Sequence, residues 1–386
     1  VDGDANYGEK DRGTIQDDAP DYYPEIWIGR LPCNCEQDII NWTEKLLVYE
    51  QDPGKGDASY LMNSFWIEGA ETYNSLDFTK TYYPSSISHT IWYKSTLHNG
   101  SEVVAKMDDN YGILNWYCHG APNSFQTKPE TESYRMVFSN DEYCTYGYCS
   151  EESGDGLDDM NNSDKYSVVY STCCTVGAYD YPYNNCSGRS MVEAFTVMYE
   201  QNCGPTILAN TRAGWMSTGG GGPSETLHRS WCSLITQGNN NSIYAEYLHI
   251  GVAEATSKAN NLWDDYYHFI NYSHNLFGCP ETRIWTATPS TLSSASVTVN
   301  SSNIVVNAGA SGCDICVSSG DNGSSYYLAV SGVQSYTFST SVRPLYITIT
   351  KPNYIPYTAV TGGTFTTAET WFGNLHLLGT VTFTGN

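Results

Sequence analysis

The chain has 386 residues, room for a large domain with a full core and a smaller companion at roughly 100–200 residues per domain. Its 18 Lys+Arg against 42 Asp+Glu give a formal net charge of -24, which repels nucleic acid and anionic lipid and leaves calcium or cationic substrates as charged partners. No apolar run reaches the roughly 18 residues that a membrane-spanning helix needs.

The first twenty residues are polar and acidic, and Asp2, Asp4, Asn6 and Asp11 space oxygen ligands as calcium loops do. Tyr7 stands where an EF-hand requires glycine, so a structural calcium ion and a plain solvated turn both fit this segment. The sequence begins at Val1 with neither an initiator Met nor a signal peptide, as expected of a processed chain. Asp21 to Arg30 reads as a turn followed by a strand. Gln37 to Glu50 has helical apolar spacing through Ile40, Leu47 and Val48, and Asp52-Pro53-Gly54 closes it.

Strand and helix then alternate. Tyr60–Ile67, Ile87–Tyr93, Ile113–Cys118, Val168–Thr172 and Thr206–Ala209 are short apolar strands, and Val103–Asp109 and Met191–Gln201 read as helices between them. This order predicts an α/β fold with a mostly parallel sheet flanked by helices and with active residues at the carboxyl ends of strands. The polar, Gly-rich and acidic stretch from Lys128 to Lys165 reads as a surface insertion.

Residues 1–289 therefore read as one domain. Beyond Trp285 the chain turns to Ser, Thr, Val and Tyr in alternating runs, which predicts a small immunoglobulin-like β-sandwich over residues 290–361. Cys313 and Cys316 are placed to clip a turn within it. Residues 362–386 form a β-rich tail that reads as the start of a further domain.

Thirteen cysteines beside 32 tyrosines fit an oxidising, secreted or cell-surface setting. The odd count leaves at least one thiol unpaired, either buried and inert or free to do chemistry. Two strand ends carry the candidates. Val168 to Thr172 leads into Cys173-Cys174-Thr175-Val176-Gly177, and Ile113 to Tyr117 leads into Cys118-His119-Gly120. Successive strand side chains point to opposite faces, so Cys118, His119, Cys173 and Cys174 cannot all converge on a zinc ion unless both strands break. Parallel neighbours instead bring His119 to one cysteine on one face and leave Cys118 with the other cysteine on the opposite face. Cys174, last before the turn, is the better nucleophile, with His119 as base and then acid. The amides of Gly120 and Cys174 stand where an oxyanion forms, and Glu68, at another strand end, is the best carboxylate to orient the imidazole.

These residues lie in the order found in a known family. Pro24-Glu25-Ile26-Trp27-Ile28-Gly29-Arg30, Cys118-His119-Gly120, Cys174-Thr175-Val176-Gly177, Met191-Val192-Glu193-Ala194-Phe195, Thr211-Arg212-Ala213-Gly214-Trp215 and Leu276-Phe277-Gly278-Cys279-Pro280 together resemble the gingipain-like cysteine peptidases, which have a caspase-like fold. The resemblance covers roughly residues 20 to 290 and extends to an immunoglobulin-like domain behind the peptidase domain. It implies an endopeptidase with Cys174 and His119 as dyad, Glu68 beside the histidine, no cofactor for catalysis and Trp215 walling the pocket for the residue before the cleaved bond. It also implies calcium sites and, with Asp77 as the nearest match to the acidic pocket residue of basic-specific members, cleavage after Arg or Lys. Cys279 stands where the family has Asp, and the sequence before Asp21 is shorter than the family's amino-terminal subdomain, so other segments of a processed precursor are expected partners beside a protein or peptide substrate.

Two other readings use the same residues. A catalytically silent surface or adhesive protein is supported by tyrosine abundance, by the sequons Asn41-Trp42-Thr43 and Asn271-Tyr272-Ser273 and by the β-rich tail. Acyl transfer to an amine uses the same dyad as hydrolysis.

Overall fold

The computed structural model describes residues 22–129, 134–139, 153–180, 189–319, 323–366, 371 and 374–384. The proposed calcium ligands Asp2, Asp4, Asn6 and Asp11 lie outside these residues. The central sheet holds β1 (Asn63–Glu68), β2 (Ser88–Trp92), β3 (Ile113–Tyr117), β7 (Val168–Ser171), β8 (Thr206–Asn210) and β9 (His274–Phe277) in the order β2-β1-β3-β7-β8-β9. Every neighbouring pair is parallel except β8 with β9. Between β3 and β7 the chain forms a separate antiparallel sheet of β4 (Gly120–Ala121), β5 (Ser124–Pro129) and β6 (Tyr134–Phe138), so part of the predicted surface insertion is ordered structure.

Alternate residues of each central strand serve different cores. Phe65, Ile67, Leu114, Trp116, Val169 and Ile207 pack on one face with α3 (Gly100–Met107) and the segment around α4 (Met191–Glu193). Trp66, Ile113, Tyr117, Val168, Tyr170 and Leu208 pack on the other face with α5 (Pro223–Asn240) and α6 (Ile250–Ala259). Burial on both faces explains why these strands read as continuous apolar runs. The remaining helices are α1 (Glu36–Gln51), α2 (Leu76–Thr79) and α7 (Asp265–Ser273). Local chemistry starts them where the sequence permits: the Glu102 carboxylate accepts from the Asn99 amide at 2.9 Å before α3, and Asp264 Oδ1 accepts from the amides of Tyr266 and Tyr267 at the head of α7.

Several boundaries differ from expectation. Tyr60 and Leu61 sit in a 3-10 turn, Ala58–Met62, before β1 begins; both are buried, and burial alone cannot separate a turn from a strand. The helix expected over Met191–Gln201 is only α4 followed by a π-type turn, Ala194–Met198. Residues 22–29 form no strand, and Arg30 makes a single parallel bridge to Phe277, its amide donating to Leu276 O at 3.0 Å.

The carboxyl-terminal part is a two-sheet sandwich. Ser296–Val299, Ile304–Asn307 and Ser335–Phe338 form one sheet, and Cys313–Ser319, Tyr326–Val333, Tyr346–Thr350, Tyr357–Phe365 and Leu375–Phe383 form the other. Ile304, Val306, Ile315, Val317, Phe338, Ile347 and Ile349 fill the space between them at alternate positions. Leu375–Phe383, expected outside the sandwich, pairs parallel with Tyr357–Phe365. Cys313 and Cys316 stand on one strand, the first buried and the second half-buried, and both are free thiols; an odd spacing along a strand turns them to opposite faces and prevents a bridge.

Candidate active site

β3 and β7 end side by side. Their register pairs Trp116 with Ser171, and the Thr172 amide donates to Trp116 O at 2.9 Å. β3 ends at Tyr117 and β7 at Ser171, so His119 and Cys174 follow just beyond these neighbouring strand ends. Cys174 lines a pocket with Ser224 and Glu225 of α5, while Cys118 and Cys173 turn into the core of the opposite face, where the Cys118 amide donates to Cys173 Sγ at 3.3 Å. Both His119 and Cys174 are half-buried.

The backbone around Cys174 is tightly held. Thr175 has φ 54°, a left-handed conformation that is strained for a β-branched residue, and its amide donates to Arg212 O at 2.9 Å. Its hydroxyl reaches Gly120 O at 3.4 Å. The Asn210 side chain donates to both Thr172 O and Cys173 O at 3.1 Å. Such clamping fixes the direction in which the thiol leaves the sheet.

Gly214 completes the setting of the sulfur. Its amide donates to Cys174 Sγ at 3.2 Å, and a Cβ there would come within 2.4 Å of Thr172 O, so only glycine brings this amide so close. Burial pushes the Cys174 thiol above its ordinary pKa, the Gly214 amide opposes that, and the charge of Cys173 adds to it. The resting group is thus a thiol that needs a base to become a nucleophile.

A pocket opens beside the sulfur, lined by Asn74, Tyr117, Cys174, Trp215, Ser224 and Glu225 among others. Trp215 is 39 % exposed and packs edge-on against Tyr266 at 4.7 Å, which leaves the indole as a wall. Asp77 does not line this pocket. Its side chain is 66 % exposed, and it bonds Lys80 Nζ at 2.5 Å and the Tyr93 hydroxyl at 2.9 Å, because its place in α2 turns it to the surface. Glu68 stands at the end of β1 opposite Tyr117, and its carboxylate accepts from the Lys94 amide at 3.2 Å; its observed contact is with Lys94, not with the imidazole.

The carboxylate on the pocket wall is Glu225, which sequence reading missed. It is buried on the first turn of α5, where Oε1 accepts from the Ser75 amide at 2.8 Å and Thr79 Oγ1 at 2.7 Å and pairs with Arg229 Nη2 at 2.8 Å. Its Oε2 accepts from the Gly221 amide at 2.6 Å, which ties the glycine run at 219–222 to the first turn of α5. A signal was present: an acid in the first turn after a glycine run, with an arginine four residues on. Asn74 was missed too, since nothing in its neighbourhood marks it. Among the described residues no group of three or more His, Cys, Asp or Glu side chains gathers to hold a metal ion.

Comparison with known proteins points the same way. At 22 % identity, 179 residues align with Lys-gingipain of Porphyromonas gingivalis, covering 44 % of this chain and 9 % of that protein, so the chain spans about a tenth of the length of the curated relatives it matches. The crystal structure of the Arg-specific cysteine proteinase gingipain R superposes with a TM-score of 0.64 at 13 % identity, covering 92 % of this chain and 76 % of the other. A complex of the pro- and mature domains of Porphyromonas gingivalis RgpB gives the same TM-score and identity over 88 % of this chain and 77 % of the other. These likenesses establish the α/β fold with its mostly parallel sheet. The sequence profile of peptidase family C25 matches residues 2–285, and the chain belongs to that family.

Proposed function

We propose that this chain is a cysteine endopeptidase in which Cys174 attacks the substrate carbonyl and His119 moves the protons. The observation that supports this reading is that β3 and β7 end side by side, with Cys174 on a pocket walled by Trp215 and with Gly120, the neighbour of His119, packed against Cys174. His119 takes the proton of the Cys174 thiol as sulfur bonds to the carbonyl carbon. It then gives that proton to the leaving amine as the peptide C–N bond breaks, and water hydrolyses the thioester to free the acid and restore the thiol.

The strained turn at Thr175 and the close approach of Gly120 support a role for the Gly120 and Cys174 amides at the oxyanion. Glu68, on the neighbouring strand end, supports the imidazolium through its charge. A secreted or surface setting is in keeping with the tyrosine-rich composition, while the ten described cysteines are all free thiols and lend it no disulfide; no helix among the described residues is long and apolar enough to cross a membrane. The substrate is a protein or peptide. Preference for Arg or Lys has little support, because Asp77 is at the surface and Glu225 is already paired with Arg229.

The test is hydrolysis of a mixed peptide library by the wild type, Cys174→Ala and His119→Ala, with iodoacetamide labelling mapped by mass spectrometry. Each substitution should lower turnover by about 10⁴-fold or more with the fold retained, and Cys174 should be the thiol whose labelling tracks lost activity. Full hydrolysis by Cys174→Ala would overturn the reading.

A further inference from the structure

The cavity at Cys174 has a volume of about 10 Å³, room for roughly one water molecule and for no side chain of a substrate. The open surface beside it is aromatic. Trp215 lines the cavity together with Cys174, and its indole meets Tyr266 edge-on at 4.7 Å and Phe269 edge-on at 6.3 Å. Tyr266 is 52 % and Phe269 40 % exposed, and Met216, next to Trp215 in the chain, is exposed as well. Single exposed aromatics are ordinary, whereas rings in mutual contact on an open surface mark a binding face.

These rings are held on one frame with the sulfur. Tyr266 and Phe269 stand three residues apart on α7 and so share a face of that helix. Asp264 caps the helix through the amides of Tyr266 and Tyr267, Ile270 is buried beneath it, and the Tyr267 hydroxyl donates to Thr226 Oγ1 of α5 at 3.5 Å. The Trp215 amide donates to Ser224 Oγ at 3.0 Å, one residue on from the Gly214 amide that bonds Cys174 Sγ. A side chain laid on the rings therefore meets a surface that is already ordered.

We infer that Trp215, Tyr266 and Phe269 form a shelf for an apolar substrate side chain, aromatic or Leu-sized, within three residues of the cleaved bond. The inference rests on the cysteine peptidase reading and adds a specificity site to it. Side chains on one face of an extended peptide recur every ~6.6 Å, close to the 6.3 Å between the Trp215 and Phe269 rings. A substrate strand with one side chain against Trp215 thus sets the next side chain of that face over Tyr266 and Phe269. An apolar group there takes the exposed rings out of water, whereas a charged or hydroxyl group loses hydration with no apolar area to gain. Continuity with the cavity at Cys174 selects the substrate as occupant, and the formal net charge of -24 repels both anionic lipid and a second copy of the chain.

The experiment has two parts. Wild-type kcat/KM is measured on matched peptides in which each of the three positions on either side of the cleaved bond is varied among Phe, Leu, Ser and Asp. One position should favour Phe or Leu over Ser by about 10-fold or more; the double variant Tyr266→Ala with Phe269→Ala should bring that ratio down to about 1–2, and Tyr266→Phe with Phe269→Tyr should keep it. In parallel, anisotropy of the same peptides carrying fluorescein is read on Cys174→Ala, where the Phe peptide should bind about 10-fold tighter than the Ser peptide and lose that advantage when both rings are removed. No apolar preference, a preference unmoved by the double alanine variant, or a wild-type dimer in sedimentation that the double variant dissolves, overturns the shelf and leaves the peptidase reading standing. Cleavage that persists in full in Cys174→Ala overturns the peptidase reading, and the binding measurement then decides the shelf by itself.

Discussion

Gly120 and Cys174 touch with no room for a side chain between them: a Cβ at Gly120 would stand 2.5 Å from the Cys174 carbonyl oxygen and 2.9 Å from Cys173 Cβ. Gly120 follows His119 directly, so the residue after the proposed base is packed against the proposed nucleophile. Gly120→Ala should force the two strand ends apart, costing about 1–3 kcal/mol of stability from overpacking. Displacing the dyad by about 1 Å should lower kcat/KM roughly 100-fold. Urea titration and peptide kinetics on the same preparation check both; unchanged activity with unchanged stability would remove Gly120 from the site.

The Glu225–Arg229 pair gives a second expectation. Glu225 is buried and its side chain has 2 % exposure, so Arg229→Met leaves a carboxylate without its counter-charge and should destabilise the fold by about 3–5 kcal/mol. Substituting Glu225→Met as well should restore most of that loss, because replacing both members of a buried pair is nearly neutral when the volume is kept. Thermal melts of the two single variants and the double variant form the cycle, and additivity of the two single effects would show that the pair is not coupled.

Acid should weaken the fold through its histidines. His228 is fully buried, stacks on Tyr170 at 3.8 Å and bonds the hydroxyls of Tyr117 and Tyr83, and burial holds its pKa well below the ordinary value, with His274 and Arg229 adding to the effect. The unfolded chain binds a proton at this residue below about pH 6.5, and the folded chain does not. Protons therefore favour unfolding: the stability present at pH 7 falls below pH 6.5 by about 1.4 kcal/mol per pH unit for this group. His89, lowered to about 4 chiefly by burial, adds a smaller contribution of the same sign because it is only half-buried. Urea midpoints measured from pH 7.5 to 5 should decline steadily, and a flat profile would contradict the neutral state of His228.

The sheet was legible because four of its strands, β1, β3, β7 and β8, are buried apolar runs with turn residues between them, and the turning of Cys118 and Cys173 into one core followed from the pleat alone. What escaped was everything set by contacts distant in sequence. β9 pairs antiparallel with β8 from 64 residues further along the chain, counting from Asn210 to His274, and no local signal fixes that pairing. Asp77 and Glu225 are both acids in the first turn of a helix, yet one helix turns its acid to water and the other into the pocket. Asn210, whose amide binds two carbonyls at the end of β7, reads in sequence as the plain end of a strand.

The parallel strand Leu375–Phe383 acts as a hem on the five-stranded sheet. It covers the outer hydrogen-bonding rim of Tyr357–Phe365, from Thr358 paired with Leu375 to Phe365 paired with Phe383. Trimming the chain before Leu375 would bare that rim as an open edge, inviting strand addition from another molecule, and the trimmed protein would be expected to clump even with its α/β domain intact.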